Sequence, residues 1–175
     1  MTVTLIILGI VFGWAIYSYN RLVRDRVRVE TGWSDIDVQL KRRHDLIPKL
    51  VTAVKQYAAY ESATLEAVTS QRGENLEPRQ SSDAEQAISR DLKSLLAVAE
   101  QYPDLKADQA FLDLQKNLTN VENHLQYARR YYNGAVRNLN IRIDSFPDTV
   151  IAKAFGFVKA SFFEFDPSTA TAVEM

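Results

Sequence analysis

No charged residue occurs between Thr2 and Asn20, and Arg21, Arg24, Arg26 and Arg28 follow at once. A helix of about nineteen residues is about 28 Å long, close to the hydrocarbon thickness of a bilayer. Ile6, Ile7, Leu8, Val11, Phe12, Trp14 and Ile16 cover every face of that helix, so it lacks the polar side that a core helix turns to water. The pattern predicts a membrane anchor over residues 1–20 carrying a body of about 150 residues.

A cleavable secretory signal has basic residues before its apolar run and small residues at its cut. Here only the terminal amine precedes the run, and bulky Tyr17 and Tyr19 end it, at the level of an aromatic belt. Retention is the expectation. The four arginines after the span, with none before it, predict that the N-terminus lies outside and the body stays on the cytoplasmic side. Arg21, Arg24, Arg26 and Arg28 are the candidate contacts to anionic lipid headgroups, at about 1 kcal/mol each. Gly9 and Gly13 form a GxxxG pair, the candidate packing face for a second copy of the span.

The chain has a net charge of −1, so no global basic field points to nucleic acid. It has no cysteine, which removes disulfides, thiolate catalysis and Cys-based metal sites together. The body is patterned for helices. Trp33, Ile36, Leu40, Ile47, Val51, Val54, Ala58, Leu65 and Val68 recur at helical steps, with polar His44 and Glu61 in the gaps. Gly73 and Pro78 suggest a loop over 74–81, and Ser82 with Glu85 reads as a capping box opening a second helix. That helix carries Ile88, Leu92, Leu95, Ala99 and Tyr102. Pro103-Asp104 starts a third, whose seam of Leu114, Leu118, Val121, Leu125, Ala128, Tyr132, Ala135 and Leu139 alternates steps of four and three. Phe146-Pro147 ends it, and a short helix over 149–155 follows. Neither Gly nor Pro interrupts 20–31, so the span is expected to run on into the first helix of the body. Gly32 is its weak point, costing about 1 kcal/mol against Ala.

The densest polar run lies around Arg42, Arg43, His44 and Asp45, where Pro48 removes an N–H and frees the His44 carbonyl. Glu122, Arg129, Asn133 and Asn140 form a second polar line on the third helix. Together Arg43, His44, Glu61, Glu122, Arg129, Asn133 and Asn140 are the candidate polar core, read chiefly as setting helix register. A ligand or catalytic site using His44 and Glu122 is the alternative, but no nucleophile or second histidine accompanies them in sequence. Neither His44 nor His124 follows a Glu by three residues, as a di-iron bundle requires, and no Gly-rich phosphate loop occurs. No catalytic residue, metal or cofactor is expected. The six phenylalanines Phe146, Phe155, Phe157, Phe162, Phe163 and Phe165 are expected to plug one end of the body rather than to lie bare.

The run Trp33–Pro48 with Lys49-Leu50-Val51, together with Tyr19–Val23, closely resembles the signature of the LemA family of bacterial membrane proteins. The likeness continues through Glu122-Asn123, Ala128-Arg129, Tyr132-Asn133, Val136, Asn140, Phe146-Pro147 and Phe155-Gly156-Phe157. Gly32 stands where Ala is usual, and Lys49 where Asn is usual. The resemblance implies a single-pass anchor and an antiparallel four-helix bundle, with no established activity, catalytic residue or cofactor.

The expected fold is therefore all-α: one N-terminal transmembrane helix, then an antiparallel up-and-down bundle of three long helices and a short C-terminal one. Its segments are an anchor over 1–20, a LemA-like bundle over 21–166 and a flexible tail over 167–175. The expected role is a non-enzymatic scaffold that self-associates or recruits a membrane-associated protein partner. A membrane-shaping or anionic-lipid-binding module is the alternative, and a small-ligand receptor or enzyme the second. The expected partners are membrane lipid, further copies of the chain and that unidentified protein, not nucleic acid.

Overall fold

A single helix, α1, runs unbroken from Thr2 to Tyr57 in the computed structural model, which describes residues 1–57 and 78–163. The other elements are α2 (Pro78–Ala99), α3 (Pro103–Ala107), α4 (Gln109–Asp144) and α5 (Asp148–Ala154). Among the described residues there is no strand. Ala58, Glu61, Leu65, Val68 and Gly73 lie outside the described residues, as do Phe165 and the tail expected over 167–175.

Two features expected to weaken α1 do not interrupt it. Gly32 is buried and helical: a Cβ there would stand 3.1 Å from the Tyr132 Cα and 3.1 Å from the Tyr131 ring. The missing side chain thus allows close approach of α4 and is not a bending point. Pro48 also lies within the helix, and its carbonyl accepts the Thr52 hydroxyl at 2.8 Å. Buried Ile47, Leu50 and Val51 flank it, and each buried aliphatic side chain contributes about 1.5–3 kcal/mol, enough together to outweigh the lost backbone bond.

Two helix starts differ from the expectation. The backbone is already helical at Pro78, so Ser82 is interior and cannot be an N-cap. Proline, with φ fixed near the helical value and no N–H to satisfy, is suited to the first turn. The expected third helix is broken into α3 and α4 by Asp108, which is extended. Its Oδ1 accepts the Phe111 N–H at 3.0 Å, the bond of an N-cap, and so starts α4 afresh.

The chain forms two compact units. The first combines Met1–Asp35 with Ala128–Phe162. Its buried apolar positions are Leu22 and Val29 on α1, Tyr132, Ala135, Val136, Leu139 and Ile143 on α4, and Ile151 and Ala152 on α5. Contacts between α1 and α4–α5 advance in opposite directions along the chain: Gly32 meets Tyr132, Asp25 meets Arg142, and Ser18 meets Asp148. Gly156, at φ +69°, closes α5, with the Phe157 N–H bonding the Ala152 carbonyl at 2.9 Å. The second unit is built on Ile36–Tyr127 and holds a core of Ile47, Leu50, Val51 and Val54 with Ile88, Leu92, Leu95, Ala99, Leu105, Phe111 and Leu118.

Before Ser18 no residue of α1 is buried, and only Trp14 and Ala15 are half-buried. Only 6% of its most apolar eighteen-residue stretch is buried, so it is not the core helix of a soluble body, and it is long and apolar enough to cross a membrane.

Candidate functional site

The buried face of α1 reads Ser18, Leu22, Asp25, Val29, Gly32, Ile36, Leu40, Arg43, Ile47, Leu50 and Val54, at steps of three and four. Two charged residues and one hydroxyl sit on this otherwise apolar line. Each is a buried polar group that needs a partner, because leaving it bare costs several kcal/mol.

The first cluster lies in the first unit, just after the charge-free stretch. The Asp25 carboxylate accepts Arg142 Nε at 2.5 Å on Oδ2 and Arg28 at 3.1 Å on Oδ1. Arg142 also reaches Asp148 at 3.3 Å, and Asp148 accepts the Ser18 hydroxyl at 2.6 Å. Two carboxylates and two guanidiniums therefore neutralise one another across α1, α4 and α5. Beside them the Tyr19 ring packs 4.8 Å from Phe155 and 5.9 Å from Phe157, and Arg26 lies 5.5 Å over the Phe157 ring.

The second cluster is in the second unit. The Arg43 side chain is 2% exposed, with Nε 2.9 Å from Glu122 Oε1 and an N–H donated to the Ser89 hydroxyl at 2.7 Å. Arginine suits this place because its fork serves α2 and α4 at once.

The sequence-predicted polar residues separate between these surroundings. Arg43 and Glu122 come together. His44 is half-buried, one position off the line, so the polar gap in the α1 seam is filled by Arg43 rather than by the histidine. Arg129 is buried and Asn133 half-buried on α4. Asn140 serves another purpose. Its side-chain amide donates to the Ala160 carbonyl and accepts the Ala160 N–H, both at 2.9 Å. With the Tyr132 hydroxyl on the Ser161 carbonyl at 2.8 Å, it ties the segment 157–162 to α4. Burial pushes the Tyr132 hydroxyl above its ordinary value, so it remains a protonated donor.

Arg21, Arg24, Arg26 and Arg28 are all exposed. Arg24 leans on the Asn20 carbonyl at 3.4 Å, and Arg26 is 3.7 Å from Glu30. Gly9 and Gly13 have open space where a Cβ would stand. The expected aromatic plug is overturned. Phe163 is buried and Phe157 half-buried, but Phe146, Phe155 and Phe162 are exposed. Short buried side chains at Ile151 and Ala152 fill the inner face of α5 without them, and the turn at Gly156 leaves Phe155 outside.

Ser18, Ser89, Asp25, Arg142 and Asp148 are not among the residues that the sequence marks as a site. For Asp25 a signal is present: it stands on the helical line between Leu22 and Val29. Arg142 and Asp148 carry no such mark, since their roles come from the turn between α4 and α5.

Among the described residues no three His, Asp or Glu side chains converge to hold a metal. A cavity of about 420 Å³ beside Pro48, Thr52, Leu105 and Asp108 offers one carboxylate, already engaged by the Phe111 N–H and, at 3.4 Å, by the Tyr57 hydroxyl. Both clusters thus act as clamps between helices, each charge spent on an opposite charge.

The model of the LemA family matches residues 32–175. The chain belongs to the LemA family. It is 25% identical to Protein LemA of Metamycoplasma hominis over 163 residues, covering 90% of this chain and 74% of that one. It is also 23% identical to Magnetosome protein MamQ 2 of Paramagnetospirillum magneticum over 184 residues, 89% of this chain and 68% of the relative. Magnetosome protein MamQ of Magnetospirillum gryphiswaldense is 21% identical over the same shares. The LemA-family match contains Arg43, Glu122, Arg142 and Asp148, whereas Ser18 and Asp25 precede it.

Proposed function

We propose that this LemA-family chain is a non-enzymatic scaffold, anchored by one span in the bacterial cytoplasmic membrane with its N-terminus outside and its body in the cytoplasm. The body is an antiparallel up-and-down four-helix bundle that self-associates and recruits a membrane-associated partner protein. The observation that carries this reading is the bare apolar stretch of α1, continuous with a helix whose buried charges are locked to α4 and α5. Within the first unit these contacts tie the inner end of the span to α4 and α5, and the Asp25 and Asp148 charges there are balanced by Arg28 and Arg142. Exposed Gly9 and Gly13, with nothing against them, supply a face where a second span can pack closely.

The test is crosslinking in intact membranes followed by affinity purification of the full-length protein. Assemblies larger than one copy, weakened by Gly9→Leu with Gly13→Leu, are the expected result. A strictly monomeric particle with no copurifying protein contradicts the reading. A second reading, a module that binds anionic lipid or shapes the membrane, draws on the exposed arginines at 21, 24, 26 and 28. Flotation of a version lacking residues 1–19 with anionic liposomes at low salt distinguishes it, since a body that ignores such liposomes removes its basis.

A further inference from the structure

Three exposed apolar side chains lie within the ten residues 146–155, from the turn after α4 to the residue that caps α5: Phe146 at 84% exposure, Val150 at 54% and Phe155 at 63%. Water is a poor surrounding for so much apolar surface in one short stretch. We propose that this stretch is a foot inserted into the interfacial layer of the same bilayer that α1 crosses. The inference rests on the reading of α1 as a membrane span.

Depth along α1 decides the matter. The charge-free run of α1 extends to Asn20, and Arg21 is its first charged residue, so the inner edge of the hydrocarbon lies close to Asn20. A bilayer crossed by α1 therefore reaches the level of Ser18 and Tyr19. Those two residues are where α5 is attached: Ser18 bonds Asp148 at 2.6 Å, and the Tyr19 ring packs on Phe155 at 4.8 Å. Whatever surrounds Ser18 and Tyr19 must also meet α5. Lipid fits this side of α5, because the exposed side chains Phe146, Val150 and Phe155 are those an interfacial element buries.

The polar groups at this level are arranged for the same surrounding. The Ser18 hydroxyl is buried and bonded, and the Asp148 charge is balanced by Arg142 at 3.3 Å, so neither faces lipid unpaired. Arg21, Arg24 and Lys153 are exposed nearby in sequence to these contacts, with stems long enough to lift their charges to the phosphates. The first unit would then stand on two supports, a span and a foot, which limits how far it tilts from the membrane normal.

The test uses full-length protein in phosphatidylcholine–phosphatidylglycerol nanodiscs. The chain lacks cysteine, so single sites are created by Val150→Cys, Phe155→Cys, Phe12→Cys and Tyr131→Cys, each labelled with an environment-sensitive fluorophore. Quenching by lipids brominated near the headgroup is then measured. Tyr131 is exposed and packs at Gly32, fourteen residues or about 21 Å further along α1 than Ser18, so it reports the level of the body. The foot predicts quenching at Val150 and Phe155 several-fold stronger than at Tyr131. Quenching at Phe12 with Val150 and Phe155 no stronger than Tyr131 overturns the foot while leaving the anchor in place. Should Phe12 also escape quenching by lipids brominated at any depth, the reading of α1 as a span fails, and the foot with it. Crosslinks between Phe155→Cys sites of two copies, without quenching, assign the surface to a second copy and equally overturn the proposal.

Discussion

Arg142 Nε donates to the Asp25 carboxylate at 2.5 Å, with 16% of the arginine side chain and 3% of the aspartate side chain exposed. A buried pair of this kind is strongly coupled, because removing one member leaves the other charged and desolvated. Asp25→Ala should destabilise the first unit by about 3 kcal/mol. Glu30→Ala, which breaks an exposed pair with Arg26, should cost under about 1 kcal/mol. Denaturant titration in mild detergent measures both. Arg142→Met added to Asp25→Ala should cost less than the two single losses summed, and simple additivity would show that the two groups do not act as a pair.

The second clamp is asymmetric. Arg43 is 2% exposed while its partner Glu122 is 32% exposed. Removing the carboxylate strands a guanidinium in the core, whereas removing the guanidinium leaves a carboxylate that water still reaches. Glu122→Ala should therefore lower stability more than Arg43→Met does, by about 1–2 kcal/mol. Ser89→Ala should cost about 1 kcal/mol, the worth of one hydrogen bond. The reverse order for Glu122 and Arg43 in thermal unfolding would contradict the burial argument.

Gly32 separates propensity from packing. In an exposed helix interior, Gly→Ala gains about 1 kcal/mol. Here the new methyl meets the Tyr132 backbone at 3.1 Å, and a backbone atom yields only if α1 and α4 part. Gly32→Ala should bring no gain in melting temperature, and Gly32→Leu should cost at least about 1–3 kcal/mol. A stabilised Gly32→Leu protein would show that α4 does not approach as closely as described.

Tyr132 and Asn140 hold the segment 157–162, and each leaves its own signature. The raised Tyr132 value favours the neutral phenol in the folded state. Its contribution is fully present below the ordinary value of 10.0 and is lost as pH rises through the higher folded value. Alkaline titration of phenolate absorbance should show a late-ionising tyrosine in the native protein that Tyr132→Phe abolishes. Asn140→Ala should speed hydrogen exchange at the Ala160 amide, which otherwise bonds to the Asn140 side chain. Unchanged exchange there would mean the segment is held by other contacts.

Apolar spacing makes the helical architecture legible in the sequence. Ile36, Leu40, Ile47, Val51 and Val54 are buried as their periodicity implies, and so are Ile88, Leu92, Leu95 and Ala99. The site is less legible, because a charged residue in a sequence reads first as a solvated group or a gap in a seam. Asp25 passes for a minor companion of the arginine cluster, although it lies on the buried line. One position separates His44 from Arg43, and about 100° of helical rotation decides which of them faces the core. Arg142 and Asp148 depend on where the chain turns after α4, which no local pattern specifies. Composition alone assigns Phe155 to the interior, whereas the left-handed turn at Gly156 leaves it exposed.

The proposed scaffold requires α1 to cross the bilayer with its arginines on the cytoplasmic side. Thr2→Cys and Lys116→Cys, introduced singly into the cysteine-free chain, place one thiol at each end of that arrangement. A membrane-impermeant maleimide applied to intact spheroplasts should modify Thr2→Cys and should reach Lys116→Cys only after the membrane is permeabilised. Modification of Lys116→Cys in sealed spheroplasts would contradict the account.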